Sequence, residues 1–582
     1  MRKAALTSSV ISVVLVSVYL YSWEAVTQPQ SIKLPSPLSQ HQWDQIHSGT
    51  NHSCPTQTLT PHPTPVNDTH LSPEEWQALR EALRWPSPDR PVTSLDNTTD
   101  PRHCFYYVEN LRDNYTVGDT LNITLVARDF SGNPKIYGGD FFQARLHSPE
   151  LKASTYGSVQ DHRNGTYTVH FSLLWPGQAW ISLRLIHSSE AVQVLLRHRE
   201  ADPNKVSFRG YFEEGGRSET VVCNAQRSGS RCCCEYKDPA TGEMWFCQKP
   251  AALPCHALVY HSAGTYQAKL TDLDKSLLDT KLTNVDVGIP GTDPKIHILP
   301  LDTESRQEQK CAPGLDTPVP AGFYFQDRWT SLVCSARSFS SAEQIVGCLK
   351  DKQLYMMGDS TLRQWFEYLQ TTVPSKSPRH QHTRYATLTL PTLLLRKTVK
   401  SSLPPALELM NLHTSGQSGP LLAVDTGNNV ILRWRAHGLP IRTLKVPRAR
   451  LHYIANEIDG LAGDAYTVVG FNLWAHFTTF PLATFVRRVA IIREAVRSLL
   501  RRSPQTLVVI KSANTGYKDV YGSDWLSLQL DTVLRRMFQG LPVAFIDVWQ
   551  MTSCHYTPDQ IHPQPVVIRN EVDLFLSFVC PQ

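Results

Sequence analysis

The spacing of apolar residues changes along this 582-residue chain, and that change constrains the fold more than any other feature. From about Cys104 to Leu196 the spacing is two. Leu121, Ile123 and Leu125 alternate with Asn122, Thr124 and Val126; Tyr167, Val169, Phe171 and Leu173 do the same, as do Ile181, Leu183 and Leu185. Short alternating runs broken by Gly, Asn and Asp turns predict a β-sandwich over 101–200. From about Cys311 the texture differs. Apolar strand candidates at Leu354–Met357, Tyr466–Gly470, Leu507–Ile510 and Val543–Ile546 are joined by longer segments. One of these, Pro481 to Arg502, carries Leu482, Phe485, Val486, Val489, Ile492, Val496 and Leu499 at helical spacing. Its polar arginine face reads as the outside of a sheet-covering helix, not a membrane or nucleic-acid element. Strands alternating with helices predict a mostly parallel sheet over 311–582, with reactive groups at the C-terminal ends of its strands.

Two segments lack these periods. Residues 26–100, rich in Pro, Ser, Thr, His and Gln, read as a disordered stalk, with a short helix from Ser72 to about Leu83 led by Pro73, Glu74 and Glu75. Residues 201–310 hold Cys223, Cys232, Cys233, Cys234, Cys247 and Cys255. Three adjacent cysteines do not offer tetrahedral zinc spacing, so a disulfide-stapled connector is expected and no metal site.

Compartment follows from three observations. Thirteen cysteines point to an oxidising environment, and the odd count leaves at least one thiol free or shared with another chain. Arg2 and Lys3 precede an uncharged apolar run from Ala4 to about Trp23, roughly the twenty residues that span a bilayer. Residues 1–25 therefore read as a signal-anchor in preference to a cleaved signal peptide, because the exit is aromatic and not small. Sequons stand at Asn51, Asn67, Asn97, Asn114, Asn122 and Asn164, with none beyond. A net charge of +5 over this length does not resemble a nucleic-acid binder.

The sharpest local feature is Gly358-Asp359-Ser360, at the junction of an apolar strand and a helix whose Leu362, Trp365, Phe366 and Leu369 share one face. A serine there meets the backbone N–H groups and dipole of the helix start, which favour a developing oxyanion. It needs a base. Asp559-Gln-Ile-His562, bracketed by Pro558 and Pro563, offers an imidazole and a carboxylate to orient it. The competing reading makes Ser360 a helix N-cap and His562 a surface histidine; the order strand, GDS, helix and closing D-x-x-H favours catalysis.

These blocks, Gly358-Asp359-Ser360 and Asp559-x-x-His562, resemble those of the PC-esterase group of SGNH-type hydrolases. Tyr115-Thr-Val-Gly118-Asp, Tyr137-Gly-Gly-Asp140, Gly165-Thr-Tyr and Trp175-Pro-Gly resemble the immunoglobulin/filamin-like neurexophilin module. Together they look like the neurexophilin and PC-esterase domain family. The resemblance implies a three-layer α/β SGNH-hydrolase-like domain with a Ser360, Asp559, His562 triad. It also implies oxyanion donors at the Ser360 N–H, a glycine and an asparagine. Asn472, after the strand ending near Gly470, is the best asparagine, although Leu473 replaces the usual acidic neighbour; Gly438 is the candidate glycine. Arg363 is a candidate for holding an anionic group of donor or acceptor, and His476 for contacting substrate. The His380-Gln-His382 pair reads as surface.

The resulting expectation is an enzyme of the secretory pathway, single-pass and Golgi-facing, that adds or removes O-acyl groups on a glycan or glycoprotein acceptor. O-acetyl transfer is favoured over deacetylation. No bound cofactor is expected, with acetyl-CoA the natural acyl donor to try and no nucleic-acid partner. The membrane is met through the N-terminal helix. The alternative is a secreted or surface-bound ligand, its β-sandwich meeting a protein partner and its esterase-like domain inactive.

Overall fold

In the computed structural model, which describes residues 69–581 apart from 228–232, 293–294, 302–308, 373–407, 412–418, 517 and 559, the period-two stretches form strands. Leu121, Ile123, Leu125, Tyr167, Val169, Phe171, Leu183 and Leu185 are all within 1% of complete burial, and the residues between them within each strand are half-exposed. The strands hydrogen-bond along one path: Phe105–Val108, Thr120–Val126, Thr166–Ser172, Ala153–Asp161, Phe141–Ser148, Gly177–His187, Ile296–Leu299 and Tyr115–Thr116. A hairpin of Gly322–Phe325 and Arg328–Ser331 branches from Ala153–Asp161. This sheet-rich region is not confined to 101–200. Ile296–Leu299 pairs with Gly177–Ala179, and Phe323 and Tyr324 pair with Thr155 and Ser154. Strand partners lie far apart in sequence, so periodicity reveals strands without revealing who joins them.

The stalk expectation needs correction at its C-terminal end. The helix Pro73–Ala82 forms, with a Ser72/Glu75 capping box, and Leu71, Leu79 and Leu83 are buried. They share a core cluster with the helices Leu482–Arg502 and Asp524–Phe538. Trp85 lies edge-on to both Phe141 and Trp525, and its indole donates to the Gly139 carbonyl at 2.7 Å. A sparse apolar stripe looked too weak to fold alone; the remote α/β region supplies the surface it lacks. The apolar run near the N-terminus, with Asn51 and Asn67, lies outside the described residues, as do His380 and His382. No helix among the described residues is long and apolar enough to cross a membrane.

The cysteine-rich stretch is a sheet, not a bare connector. Cys233–Lys237, Met244–Gln248, Arg217–Asn224, Val206–Glu214 and Leu258–Tyr266 pair in that order, and Val446–Pro447 from the C-terminal region adds the last strand. Disulfides Cys223–Cys247 and Cys234–Cys255 staple it. A buried ion pair between Arg488 and Glu243 and an indole bond from Trp245 to the Tyr453 hydroxyl (2.8 Å) fasten it to the α/β region.

That α/β region is a seven-stranded sheet in the order Glu408–Asn411, Leu421–Asp425, Val430–Ala436, Gln353–Gly358, Thr467–Phe471, Leu507–Lys511 and Ala544–Ile546. The last five are parallel and the first two antiparallel. Helices cover both faces. Met357, Val469, Phe471 and Ile510 face the helices Leu482–Arg502 and Asp524–Phe538; Leu354, Met356, Val468 and Val509 face Ser360–Thr372 and Pro565–Val579. Disulfides Cys311–Cys334 and Cys348–Cys580 close the region, the second tying residues 232 apart. Gln353–Gly358 comes first in sequence yet lies mid-sheet, with its successors on either side. The chain therefore reverses its winding there, and such a switch point opens a crevice at the strands' C-terminal ends.

Candidate active site

The strand Gln353–Gly358 runs into the helix Ser360–Thr372 with only Asp359 between them. Ser360 is the first helical residue, where a backbone N–H has no acceptor within the helix. Its Oγ lies 2.7 Å from His562 Nε2. The structure thus joins two residues 202 positions apart. Asp559 lies outside the described residues.

The His562 imidazole is held below its ordinary value, first by burial and then by the cations of Arg363 and Lys511; Asp359 and Glu367 oppose them. A neutral ring near pH 7 can accept the Ser360 proton at Nε2, with its own proton on Nδ1. A cationic ring could not.

Asp359 and Asn472 brace the turn that presents Ser360. Asp359 is 1% exposed, and its Oδ1 accepts from the Thr361 N–H (2.9 Å), the Thr361 hydroxyl (2.8 Å) and Asn472 Nδ2 (3.0 Å). The Ala475 N–H reaches its other oxygen at 3.3 Å. Burial works to raise this carboxyl, but His476, Thr361, His437 and Asn472 together hold it below the usual carboxylate range. The Asn472 amide gives its second N–H to Thr361 Oγ1 (2.7 Å) and accepts the Asp359 N–H (2.9 Å). Both its protons are therefore committed within the turn. Fully buried, Asn472 holds the turn from behind, and acting as the expected oxyanion donor would require it to release one of these bonds. It also explains Gly358, where an added Cβ would fall 1.9 Å from Asn472 Oδ1.

The remaining candidates sit at the same end of the sheet. Gly438, at φ +81°, follows the strand whose Ala436 pairs with Gly358. Arg363, one turn into the helix, pairs with Glu367 at 2.9 Å and lies over the Trp434 ring. His476 is within 3.0 Å of His437; burial and Arg442 push His476 down to about 4, and burial above all holds His437 well below its ordinary value. Sequence reasoning gives no role of their own to Asp359 and His437 and does not single out the buried Lys511. The last had a signal: a lysine ending the apolar run Leu507-Val-Val-Ile-Lys511. Of the described sequons, Asn97, Asn114 and Asn164 are exposed and Asn122 is half-exposed on its strand's outer face.

Two family models match this chain. One, described as NXPE family member 4-like, C-terminal domain, matches residues 329–402 and 394–580. The other, Neurexophilin, matches residues 89–275.

Proposed function

The chain belongs to the NXPE family, and from that membership and the Ser360–His562 pair we propose that it transfers O-acyl groups, acetyl above all, to glycans. The 2.7 Å contact between a serine hydroxyl and a neutral imidazole at a sheet switch point is the observation that carries this reading. In the proposed cycle, Ser360 Oγ bonds to the acyl carbonyl carbon of a donor such as acetyl-CoA while His562 Nε2 takes its proton. The tetrahedral oxyanion is stabilised by the Ser360 N–H at the helix start, with the loop around Gly438 as the neighbouring source of donors. The imidazolium protonates the leaving thiolate, and an acyl-Ser360 ester remains. A sugar hydroxyl gives its proton to His562, attacks the ester carbon and departs as the O-acyl product, while Ser360 recovers its proton. Water in place of the sugar makes the same cycle an esterase. Asp559, three residues before His562, is the proposed orienting carboxylate, and Arg363 the proposed holder of an anionic group. Four disulfides among the described residues fit an oxidising compartment, and the N-terminal apolar run supports the membrane anchoring in this proposal, for which the Golgi is the proposed site.

The test compares wild type with Ser360→Ala in glycan-producing cells, weighing released glycans for acetyl increments. Increments that rise with wild type alone support transfer, and increments that fall with wild type alone make the protein an esterase. Identical profiles from two folded, correctly located proteins refute catalysis on those glycans. They would favour a second reading, a secreted ligand, which draws on the Neurexophilin match and on the exposed Phe105 and Tyr107 of an edge strand.

A further inference from the structure

Behind the Ser360–His562 contact runs a chain of buried polar groups that no step of the proposed cycle uses. It starts on the nucleophile's own helix, where Trp365 Nε1 donates to Glu571 Oε2 at 2.6 Å. That carboxylate, on the helix Pro565–Val579, lies 3.9 Å from Lys511 Nζ at the end of the strand Leu507–Lys511. Lys511 donates to Asn514 Oδ1, and Asn514 Nδ2 donates to the Ile561 carbonyl at 2.8 Å, one residue before His562. Lys511, Asn514, Trp365 and Glu571 are each within 1% of complete burial.

The loop carrying Asn514 is itself fixed. Ser512 N–H bonds the Ile546 carbonyl (3.1 Å), Ala513 N–H bonds Asp531 (3.0 Å), Thr515 N–H bonds Thr552 (3.0 Å) and Gly516 N–H bonds Asp524 (2.8 Å). Gly516 faces the D-x-x-H turn so closely that a Cβ there would lie 2.3 Å from the Ile561 nitrogen. So many anchors on one short loop exceed what joining a strand to a helix requires. What the loop offers the His562 turn is one amide bond and one flat glycine face.

We infer that Asn514, held by Lys511, is a positioning residue that sets the His562 imidazole against Ser360 Oγ. The same buried chain ties the serine's helix to the histidine's turn. Nucleophile and base come from opposite ends of the α/β region, and a proton transfer between them tolerates little misplacement: an error of about 1 Å can cost on the order of 100-fold. Burial of Lys511 is tolerable because Glu571 balances its charge, and burial of Asn514 because both ends of its amide are bonded.

This inference rests on the acyl-transfer reading, and the experiment separates the two. The full chain is treated with a fluorophosphonate, and the rate of Ser360 labelling is followed against pH. Peptides spanning 556–564 are followed in parallel by hydrogen exchange. Asn514→Ala is expected to label about 10- to 100-fold more slowly and to exchange faster in 556–564, with the strand Thr467–Phe471 unchanged. Asn514→Asp, which keeps the Lys511 partner but not the donor to Ile561, is expected to behave alike if the alanine variant does not fold. The double variant Lys511→Met, Glu571→Gln removes both charges and keeps an acceptor for Trp365; its pH of half-maximal labelling moves upward, because one cation that holds His562 down is gone. Labelling of both Asn514 variants within twofold of wild type, at an unchanged midpoint, overturns the inference. If wild type does not label at Ser360, the acyl-transfer reading falls, and exchange in 556–564 alone decides whether the tether exists.

Discussion

Replacing Asn472 with alanine separates a structural role from a catalytic one. The substitution deletes two donors, to Asp359 at 3.0 Å and Thr361 at 2.7 Å, and the acceptor of the Asp359 N–H at 2.9 Å. A bond to a buried carboxylate contributes about 1.5–3 kcal/mol, and a buried N–H left without its acceptor costs about 1–3 kcal/mol. The summed loss is about 3–5 kcal/mol, which at about 2–4 °C per kcal/mol lowers the melting midpoint by on the order of 10 °C. The effect depends on pH with a definite sign. Asp359 has a depressed folded value, so its contribution is present above the unfolded carboxyl value and is lost as pH falls through the folded one. The gap between wild type and Asn472→Ala is therefore widest near neutrality and narrows in acid. The assay is thermal unfolding of the full chain between pH 3 and 8, alongside Ser360 labelling of the folded protein. An oxyanion donor would give the opposite pattern, an unchanged midpoint with a rate loss of about 100- to 1000-fold. A midpoint within 2 °C of wild type at pH 7, a bound set by that same slope, would refute the brace.

Gly358→Ala should fail to accumulate or should melt well below wild type, since its Cβ would displace the Asn472 side chain; secretion yield and melting midpoint measure this. Because His562 is held below its ordinary value, Ser360 labelling should persist below the pH at which a solvent histidine protonates; a labelling midpoint at or above about 6.5 contradicts this. Removing Cys348 and Cys580 together should destabilise the C-terminal region by up to about 5 kcal/mol on the chain-entropy estimate for a loop of 232 residues, read as a lower denaturant midpoint. Glu243→Gln strands the buried Arg488 cation and should cost about 3–5 kcal/mol, loosening the cysteine-rich sheet first in hydrogen exchange.

Much of the fold was legible because secondary structure leaves a local signature. Period two at Leu121–Leu125 and Tyr167–Leu173 gave buried strands, and the residues from Leu482 to Leu499 gave one long helix. The strand Gln353–Gly358, the junction at Ser360 and the capping box at Ser72 follow from local chemistry too. The short strands Leu421–Asp425 and Val430–Ala436 are not legible from sequence, because the first is a brief apolar run without alternation and the second alternates only over Leu432-Arg-Trp-Arg435.

By itself, then, the sequence determined which segments become strands and helices, and that Ser360 opens a helix after an apolar strand. It also named His562 as the base such a serine would need. Only the tertiary structure decided that residues 202 apart meet at 2.7 Å, and that Leu79 of the supposed stalk joins the core with Trp85 packed against it. It decided as well that Val446–Pro447 completes the cysteine-rich sheet and that Asn472 spends its amide inside the turn. The reason is physical. Periods and caps are set by neighbours within a few residues, whereas hydrogen-bond partners, burial and proton affinity are set by whatever the closed chain brings alongside.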